Sequence, residues 1–586
     1  MWDGMQEFGS ALHTFLVKAL SLGLISVRIS VGTTELQQIT VPRRSPVGLP
    51  VQGEHLPPVQ RDRTYLVALA LAVALGVAVR AYHVLSQDFP LNDGGLFFAM
   101  VRDLQAAHYH LPAFTSYNGA GIPYAYSPLG FYLAGLLDDW TPLTLLHVFR
   151  WLPLTVTALI VVAFAWLARA LLASRWAVVA AVVAFGLLPR SYIWMLMGGG
   201  LTRSLGFLFA LVTLVLLYAV YTERRWRYVP LVAASAALTV VSHLGTAPFV
   251  AFTGVLFLIA YGRHRQAVLA SVVAAAGAGL LSAPWWLTVI QAHGLEPFLA
   301  ASATGGSIFR SLSLSDTIST LAQLGLGTGE SVLALIGMLG ALGFFYALSM
   351  GDWLLPAWWI AIVTLDARQG STFSTVPVAL LAGVAVVQLL LPAMRRLPVA
   401  TLRRSPGRAA WSPAFVLSVF ALFAGASAFL KTTPVPGGMS DMASLSPQER
   451  AAIDWVGRRT PVNANILIVA GTPWEIDRNS EWLPVLARRK SVATVQGFEY
   501  RPIGEFARKK QQYIDLQGCA AWVSRCLQDW SRVTGLGFTH VYIPKSPDRD
   551  CCRLLRYSLE RDPSYRKIYD GPGAVLFARR SRLASR

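Results

Sequence analysis

From residue 65 the chain becomes a succession of apolar runs, most of them close to 20 residues long, separated by polar segments. Runs of that length with few charges mark transmembrane helices. The first firm run is Tyr65 to about Val84. The others fall near 147–168, 176–196, 202–221, 228–243, 246–262, 267–291, 331–349, 353–366, 374–392 and 411–430, which makes about 11 spans. Charge gives an independent check, because Lys and Arg collect in cytoplasmic loops. Arg43, Arg44, Arg61 and Arg63 precede the first run. Counted from there, the inner loops carry Arg169 and Arg175, then Arg224, Arg225 and Arg227, then Arg263 and Arg265, and finally Arg395, Arg396, Arg403, Arg404 and Arg408. Only the Met350–Asp352 turn lacks a positive charge. The pattern predicts a cytoplasmic N-terminus and an extracytoplasmic chain from residue 431.

Two apolar stretches depart from this rhythm. Gly94 to Ala107 is helical in spacing, with Leu96, Phe97, Met100, Val101 and Leu104 apolar, but it is too short to cross. Pro128 to Leu137 is also short and runs into Asp138-Asp139; treating it as a crossing would invert every later loop. Both are assigned to one extracytoplasmic loop, residues 88–146. The tail has a different texture. Ser446-Pro-Gln-Glu449 reads as a capping box opening a helix. Short β-like runs at 466–470, 491–495, 540–543 and 574–577 alternate with helical stretches. The predicted fold class is a polytopic α-helical membrane protein, with a membrane domain over 64–430 and an extracytoplasmic α/β domain over 431–586. Residues 1–63 hold an interrupted apolar piece and then a Pro/Gly/Arg-rich stretch, and read as a poorly ordered or interfacial cytoplasmic segment.

Composition agrees. The 586 residues are 54% hydrophobic and 14% charged, against roughly 25% charged in soluble proteins. The net charge of +19 sits largely in the inner loops, and no basic helix or base-stacking platform is visible. Nucleic acid is therefore not a predicted partner, whereas membrane lipids are. Four cysteines, Cys519, Cys526, Cys551 and Cys552, crowd into the tail. An oxidising compartment allows two disulfides there, and four reduced thiols are the alternative.

Candidate chemistry gathers in the outer loop. Asp93 is a carboxylate at the rim of an apolar bundle, followed by Gly94-Gly95, and it suits a general base. The simpler reading is that it caps the helix that follows. Asp88 is a candidate partner that orients Asp93 or shares a divalent metal with it. Arg150, Arg190, Arg203 and Arg368 lie near the outer ends of spans, where topology does not favour positive charge, and such groups suit phosphate recognition. Arg203 follows Gly198-Gly-Gly-Leu-Thr202, a turn that favours an anion at a helix start. His243 ends a span on the same face. Tyr124 and Tyr126 flank the mouth, either to stack on a sugar or as ordinary interfacial aromatics. There is no Gly-x-Gly-x-x-Gly after a strand, no phosphate-binding P-loop and no His-Glu-x-x-His. With no nucleotide site, an activated group arrives most simply on a membrane-soluble carrier.

A first span, an outer loop with an acidic motif, and then Pro123-Tyr124-Ala-Tyr126-Ser127-Pro128-Leu129-Gly130-Phe131-Tyr132 together resemble the GT-C superfamily of glycosyltransferases. The branch most resembled is that of protein mannosyltransferases and the lipid A aminoarabinose transferase. Ser282-Ala-Pro284-Trp285-Trp286 on a middle span and the α/β tail fit the same resemblance. It covers most of 65–580 in architecture, but its specific motifs are confined to 88–132. The resemblance implies inverting transfer of a sugar from a polyprenyl-phosphate donor to a lipid, glycan or protein acceptor, on the outer face of the cell envelope. It makes Asp93 the base. Asn92, Asp88, Tyr124, Tyr126, His243 and the four arginines are the candidate substrate-binding residues. Where the family's usual Asp-Glu stands, this chain reads Asn92-Asp93, so no cofactor is firmly implied and a divalent metal stays open. Two other readings are kept: en bloc oligosaccharide transfer to protein, and a polyprenyl-lipid transporter or flippase, for which no repeat symmetry is found.

Overall fold

Among the described residues, six helices are long and apolar enough to cross a membrane: Arg63–Leu85, Leu145–Leu171, Gly200–Glu223, Leu244–Tyr261, Arg265–His293 and Gly370–Met394. They are seen in a computed structural model that describes residues 58–304, 328–330, 334–365, 369–396, 413–429, 442–545 and 551–580. These residues belong to a single compact unit. The expectations for residues 1–57 and for Arg368 lie outside the described residues. Four more of the predicted spans correspond to shorter apolar helices, Trp226–Ser242, Leu335–Ser349, Leu354–Thr364 and Pro413–Phe429.

The span predicted at 176–196 is not one helix. Arg175–Leu187 and Pro189–Leu196 meet at an 80° bend. Pro189 has no N–H to donate, and its ring crowds the carbonyl four residues back. That carbonyl, of Phe185, accepts instead from Ser191 Oγ at 2.7 Å. The next carbonyl, of Gly186, accepts from Arg80 Nη1 at 2.7 Å, and Arg80 Nη2 donates to Ser191 Oγ at 3.0 Å. Arg80 reaches them because Gly76 crosses Gly186 closely; a Cβ on either glycine would stand 3.0 Å from the other's Cα. The bend is thus built by a proline and held by a buried arginine that satisfies the groups the proline releases.

In the loop 88–146, the helix Gly95–Ala106 buries Leu96, Phe97, Met100, Val101 and Leu104, the stripe that the sequence indicates. It ends where His108 and Tyr109 take positive φ. The second short helix is Leu129–Trp140, and between the two lies a small antiparallel pair, β1 (Phe114–Thr115) and β2 (Ile122–Pro123).

The tail holds a five-stranded sheet in the order β4-β3-β5-β7-β6, with β3 Asn465–Ile468, β4 Lys490–Ser491, β5 His540–Pro544, β6 Tyr565–Asp570 and β7 Ala574–Arg579. β3 runs parallel to β4 and β5, while β7 is antiparallel to β5 and β6. The predicted strand at 491–495 shrinks to the two residues of β4. Beyond it Thr494 turns its hydroxyl to Ser480 O and Ser491 Oγ. β6 went unpredicted because Tyr565-Arg-Lys-Ile-Tyr-Asp is a charged edge strand, a composition that protects edges from further pairing. The capping box at Ser446 and Glu449 is present. Disulfides join Cys519 to Cys526 and Cys551 to Cys552.

The tail lies against the loop 88–146. Asn118 donates its amide to Ser491 O and accepts from Ser491 N, both at 2.8 Å. Leu91 bridges to Ser444, and Arg501 Nη1 donates to Gly121 O at 3.0 Å.

Candidate active site

Asp93 sits where loop, bundle and tail converge. Its side chain is 15% exposed. Oδ2 accepts from Arg203 Nη2 at 2.7 Å, and Oδ1 accepts from the Gly199 N–H at 2.7 Å. The capping reading takes an unexpected form. Asp93 does not cap its own helix, whose N-cap is Gly94 with no side-chain hydrogen bond; it sits instead at the start of the long helix Gly200–Glu223. The anion that the Gly198-Gly-Gly turn receives is thus the chain's own carboxylate, favoured there by free N–H groups and the helix dipole. Glycine is required at this contact: a Cβ on Gly198 would stand 1.9 Å from Asp93 O.

Arg203 is oriented in turn. Nη1 donates to Trp194 O at 2.9 Å and the guanidinium lies 5.3 Å from the Trp194 ring centroid. Trp194 belongs to the short arm after the 80° bend, so the broken span positions the arginine that holds Asp93.

Asn92 is buried with φ 48°. Its Nδ2 donates to Glu475 O at 3.1 Å and its carbonyl accepts from Trp482 Nε1 at 2.9 Å, which makes it a scaffold for the Asp93 turn. Glu481, which the sequence did not single out, is buried on the next turn of chain contact: its Oε1 accepts from the Gly94 N–H at 2.8 Å. Burial first, and the charge of Asp93 second, push its carboxyl up to about 8. Trp482 and Glu475 were also missed. Gly199 lies in the glycine run that the sequence marks as an anion-favouring turn.

The other candidates disperse. Asp88 is 60% exposed and is taken by Arg450 of the tail, whose Nη1 donates to Oδ1 at 3.1 Å. That pairing holds the Asp88 carboxyl below its ordinary range. Arg150 Nη2 donates to Gln87 O at 2.5 Å and Val84 O at 3.4 Å, closing the C-terminus of the first helix. Tyr124 is buried, with its hydroxyl donating to Met100 O at 2.9 Å. Tyr126 packs on Phe97 and Tyr500, with ring centroids 5.1 and 4.2 Å away. His243 Nδ1 lies 2.9 Å from Thr246 Oγ1, on a turn that Ser127 of the loop pins through Val240 O and Leu244 N. Arg190 is half-buried beside the bend, and its guanidinium has no ionic or hydrogen-bond partner among the described residues.

A divalent metal does not fit the acids as they stand. Asp88 and Asp93 face different arginines, and no group of three or more His, Cys, Asp or Glu gathers among the described residues. A groove of about 790 Å³ lies elsewhere, on the flank of Arg63–Leu85 and Leu145–Leu171, lined by Leu66, Val73, Val77, Val162, Trp166 and Arg169.

The six apolar helices found among the described residues mark a multi-pass membrane protein. Its solved structural likenesses are membrane glycosyltransferases. ArnT from Cupriavidus metallidurans, solved bound to undecaprenyl phosphate, superposes with a TM-score of 0.51 at 14% identity, over 88% of this chain and 99% of its own. The Archaeoglobus fulgidus oligosaccharyltransferase, solved with a tethered acceptor peptide, gives 0.51 at 14% identity, over 89% and 74%. The arabinofuranosyltransferase AftD from Mycobacteria gives 0.50 at 18%, over 88% of this chain, which spans about two-fifths of AftD (40%). No protein-family model and no curated protein sequence matches. The chain has the GT-C fold.

Proposed function

We propose that this protein is a membrane glycosyltransferase that moves a sugar from a polyprenyl-phosphate-linked donor to an acceptor hydroxyl on the extracytoplasmic face, with inversion. The bundle then crosses about 11 times, with the N-terminus inside and the tail outside. The observation that carries the reading is the Asp93 carboxylate, partly exposed at the outer end of the bundle and fixed by two donors. In the reaction, Asp93 takes the proton of the acceptor hydroxyl as its oxygen attacks the anomeric carbon. The bond from that carbon to the phosphate oxygen breaks, and polyprenyl phosphate leaves with the electron pair. Arg190, without a partner among the described residues, suits the leaving phosphate, and preorganised charge of this kind is the usual source of such stabilisation. Arg203 is committed to Asp93, so its part is to orient the base rather than to bind donor. En bloc oligosaccharide transfer has less support, because the carboxylates that would hold a metal do not assemble among the described residues.

The test is transfer by purified protein from a panel of radiolabelled polyprenyl-phosphate sugars, with Asp93→Asn as control. Loss of a base costs about 10²–10⁴-fold in rate. An Asp93→Asn variant that folds and transfers at the wild-type rate sinks the assignment.

A further inference from the structure

Asp93 is held at its carboxylate by Arg203 and Gly199, but its backbone is held by something else. The peptide that follows it donates, through the Gly94 N–H, to Oε1 of Glu481 at 2.8 Å. Glu481 comes from the tail helix Arg478–Leu486, 387 residues along the chain. Its carboxylate also receives the Leu96 N–H and, at Oε2, Gln496 Nε2 at 3.3 Å. Its carbonyl accepts from Tyr117 OH at 2.8 Å. The fit leaves no slack: a Cβ on Gly95 would stand 2.3 Å from Glu481 O, and one on Gly94 would stand 3.1 Å from the Trp482 ring. Gly94 itself has φ 128°, open only to glycine, so the turn does not hold its shape by local preference.

We propose that Glu481 is a positioning residue for Asp93: its carboxyl group seats the Asp93–Gly94 turn, so that the tail completes the catalytic site of the membrane bundle. The inference rests on Asp93 being the base. Gly94 and Leu96 lie at the start of the helix Gly95–Ala106, where N–H groups have no helical acceptor and need an outside one. A buried acid supplies it through Oε1. The charged groups facing Glu481 are Asp93 and Arg203, with Asp477 at the start of its own helix and Glu499 beyond Tyr117. Gln496 is the neutral member of the set. With its carboxyl pushed up to about 8 by burial and by Asp93, Glu481 is mainly neutral at neutral pH, which spares Asp93 a second full charge beside it.

The experiment uses the full chain in lipid nanodiscs, with Glu481→Gln and Glu481→Ala. Gln keeps an oxygen for the Gly94 N–H and cannot ionise; Ala keeps neither property. We expect Glu481→Ala to lower kcat about 100-fold with little change in acceptor KM, the size of effect that a small misplacement of a reacting group produces. Glu481→Gln stays within about fivefold of wild type at neutral pH, since a neutral hydrogen bond replaces a neutral acid. It also loses the inflection in kcat/KM expected of wild type near pH 8. Wild-type turnover in Glu481→Ala overturns the proposal. So does an equal loss in both variants with the pH profile unmoved, which is what a merely structural role gives. Hydrogen exchange of residues 94–100 supplies a readout without turnover: Glu481→Ala speeds exchange there about tenfold while Leu145–Leu171 stays protected. Unchanged exchange overturns the proposal as well. A wild-type chain that transfers none of the donor sugars refutes the donor reading instead, and the exchange result still judges the hold of Glu481.

Discussion

Two carboxylates of the same loop, five positions apart, meet different fates. Asp93 is enclosed, with Arg203 from a bundle helix on one oxygen and a helix-start N–H on the other. Asp88 is mostly open to solvent and pairs with Arg450 of the tail, whose guanidinium also lies 5.1 Å from the Phe89 ring. Arg150, close enough to act on Asp88, is spent on carbonyls at the end of the first helix. Both acids form a salt bridge, so an ion pair alone says nothing about function. What separates them is what surrounds the pair. Around Asp93 the arginine is itself oriented by Trp194, the backbone is seated by Glu481, and three glycines allow the elements to touch. Around Asp88 the pair is a clasp between loop and tail.

The contrast can be broken most directly at the acids. Asp93→Asn should lose about 10²–10⁴-fold in transfer, and Asp88→Asn should stay within a few-fold. Equal losses, measured on protein of equal yield and melting behaviour, would erase the distinction. Next in size is Gly198→Ala, whose new Cβ would stand 1.9 Å from Asp93 O, on backbone that cannot rotate aside. The turn must move, and a displacement of about 1 Å is worth on the order of 100-fold in rate. Gly119→Ala, in the same loop, has no atom within 4 Å of its Cβ and serves as control, although its φ of 58° adds some strain.

Stability gives the third separation, through the sign of its pH dependence. The Glu481 carboxyl lies above its ordinary 4.5 in the fold, at about 8. Between those values the folded chain holds a proton that the unfolded chain has released, so stability falls as pH rises through that window. Thermal midpoints should show the decline in wild type and lose most of it in Glu481→Gln. Asp88 carries the opposite sign. Its carboxyl lies below 3.8, so its contribution is present above that value and disappears as pH falls through the folded one. Because Asp88 is 60% exposed, screening leaves Arg450→Gln a cost of no more than about 0.5–1 kcal/mol, shrinking further in salt. A larger, salt-insensitive loss in Arg450→Gln would show that the clasp matters more than its exposure implies.

Much of the molecule was legible along the chain. The apolar runs gave the positions of the helices to within a few residues, the stripe from Leu96 to Leu104 gave the surface helix, and Ser446 with Glu449 gave the start of the first tail helix. Asp93 stood out because a carboxylate followed by two glycines has no packing role at the end of an apolar run. Other features were hidden for physical reasons. Pro189 in an apolar run reads equally as a tolerated kink or a break, and the 80° bend depends on Arg80 and Ser191 taking the released carbonyls. The charged edge strand β6 carries too little apolar character to announce itself.

The sequence by itself determined the local and periodic features: which stretches are apolar for 20 residues, which lie on one face of a helix, where a glycine frees the backbone. Those depend on neighbours within a few positions, so the order of residues encodes them directly. Only the tertiary structure decided partners. It gave Arg203 to Asp93 and Arg450 to Asp88, turned the Gly198-Gly-Gly start towards an internal anion, and brought Glu481 across 387 residues to the Gly94 N–H. A charge or a free N–H is indifferent to the origin of its partner, and many acids and arginines along this chain are chemically equivalent until the fold sets their distances.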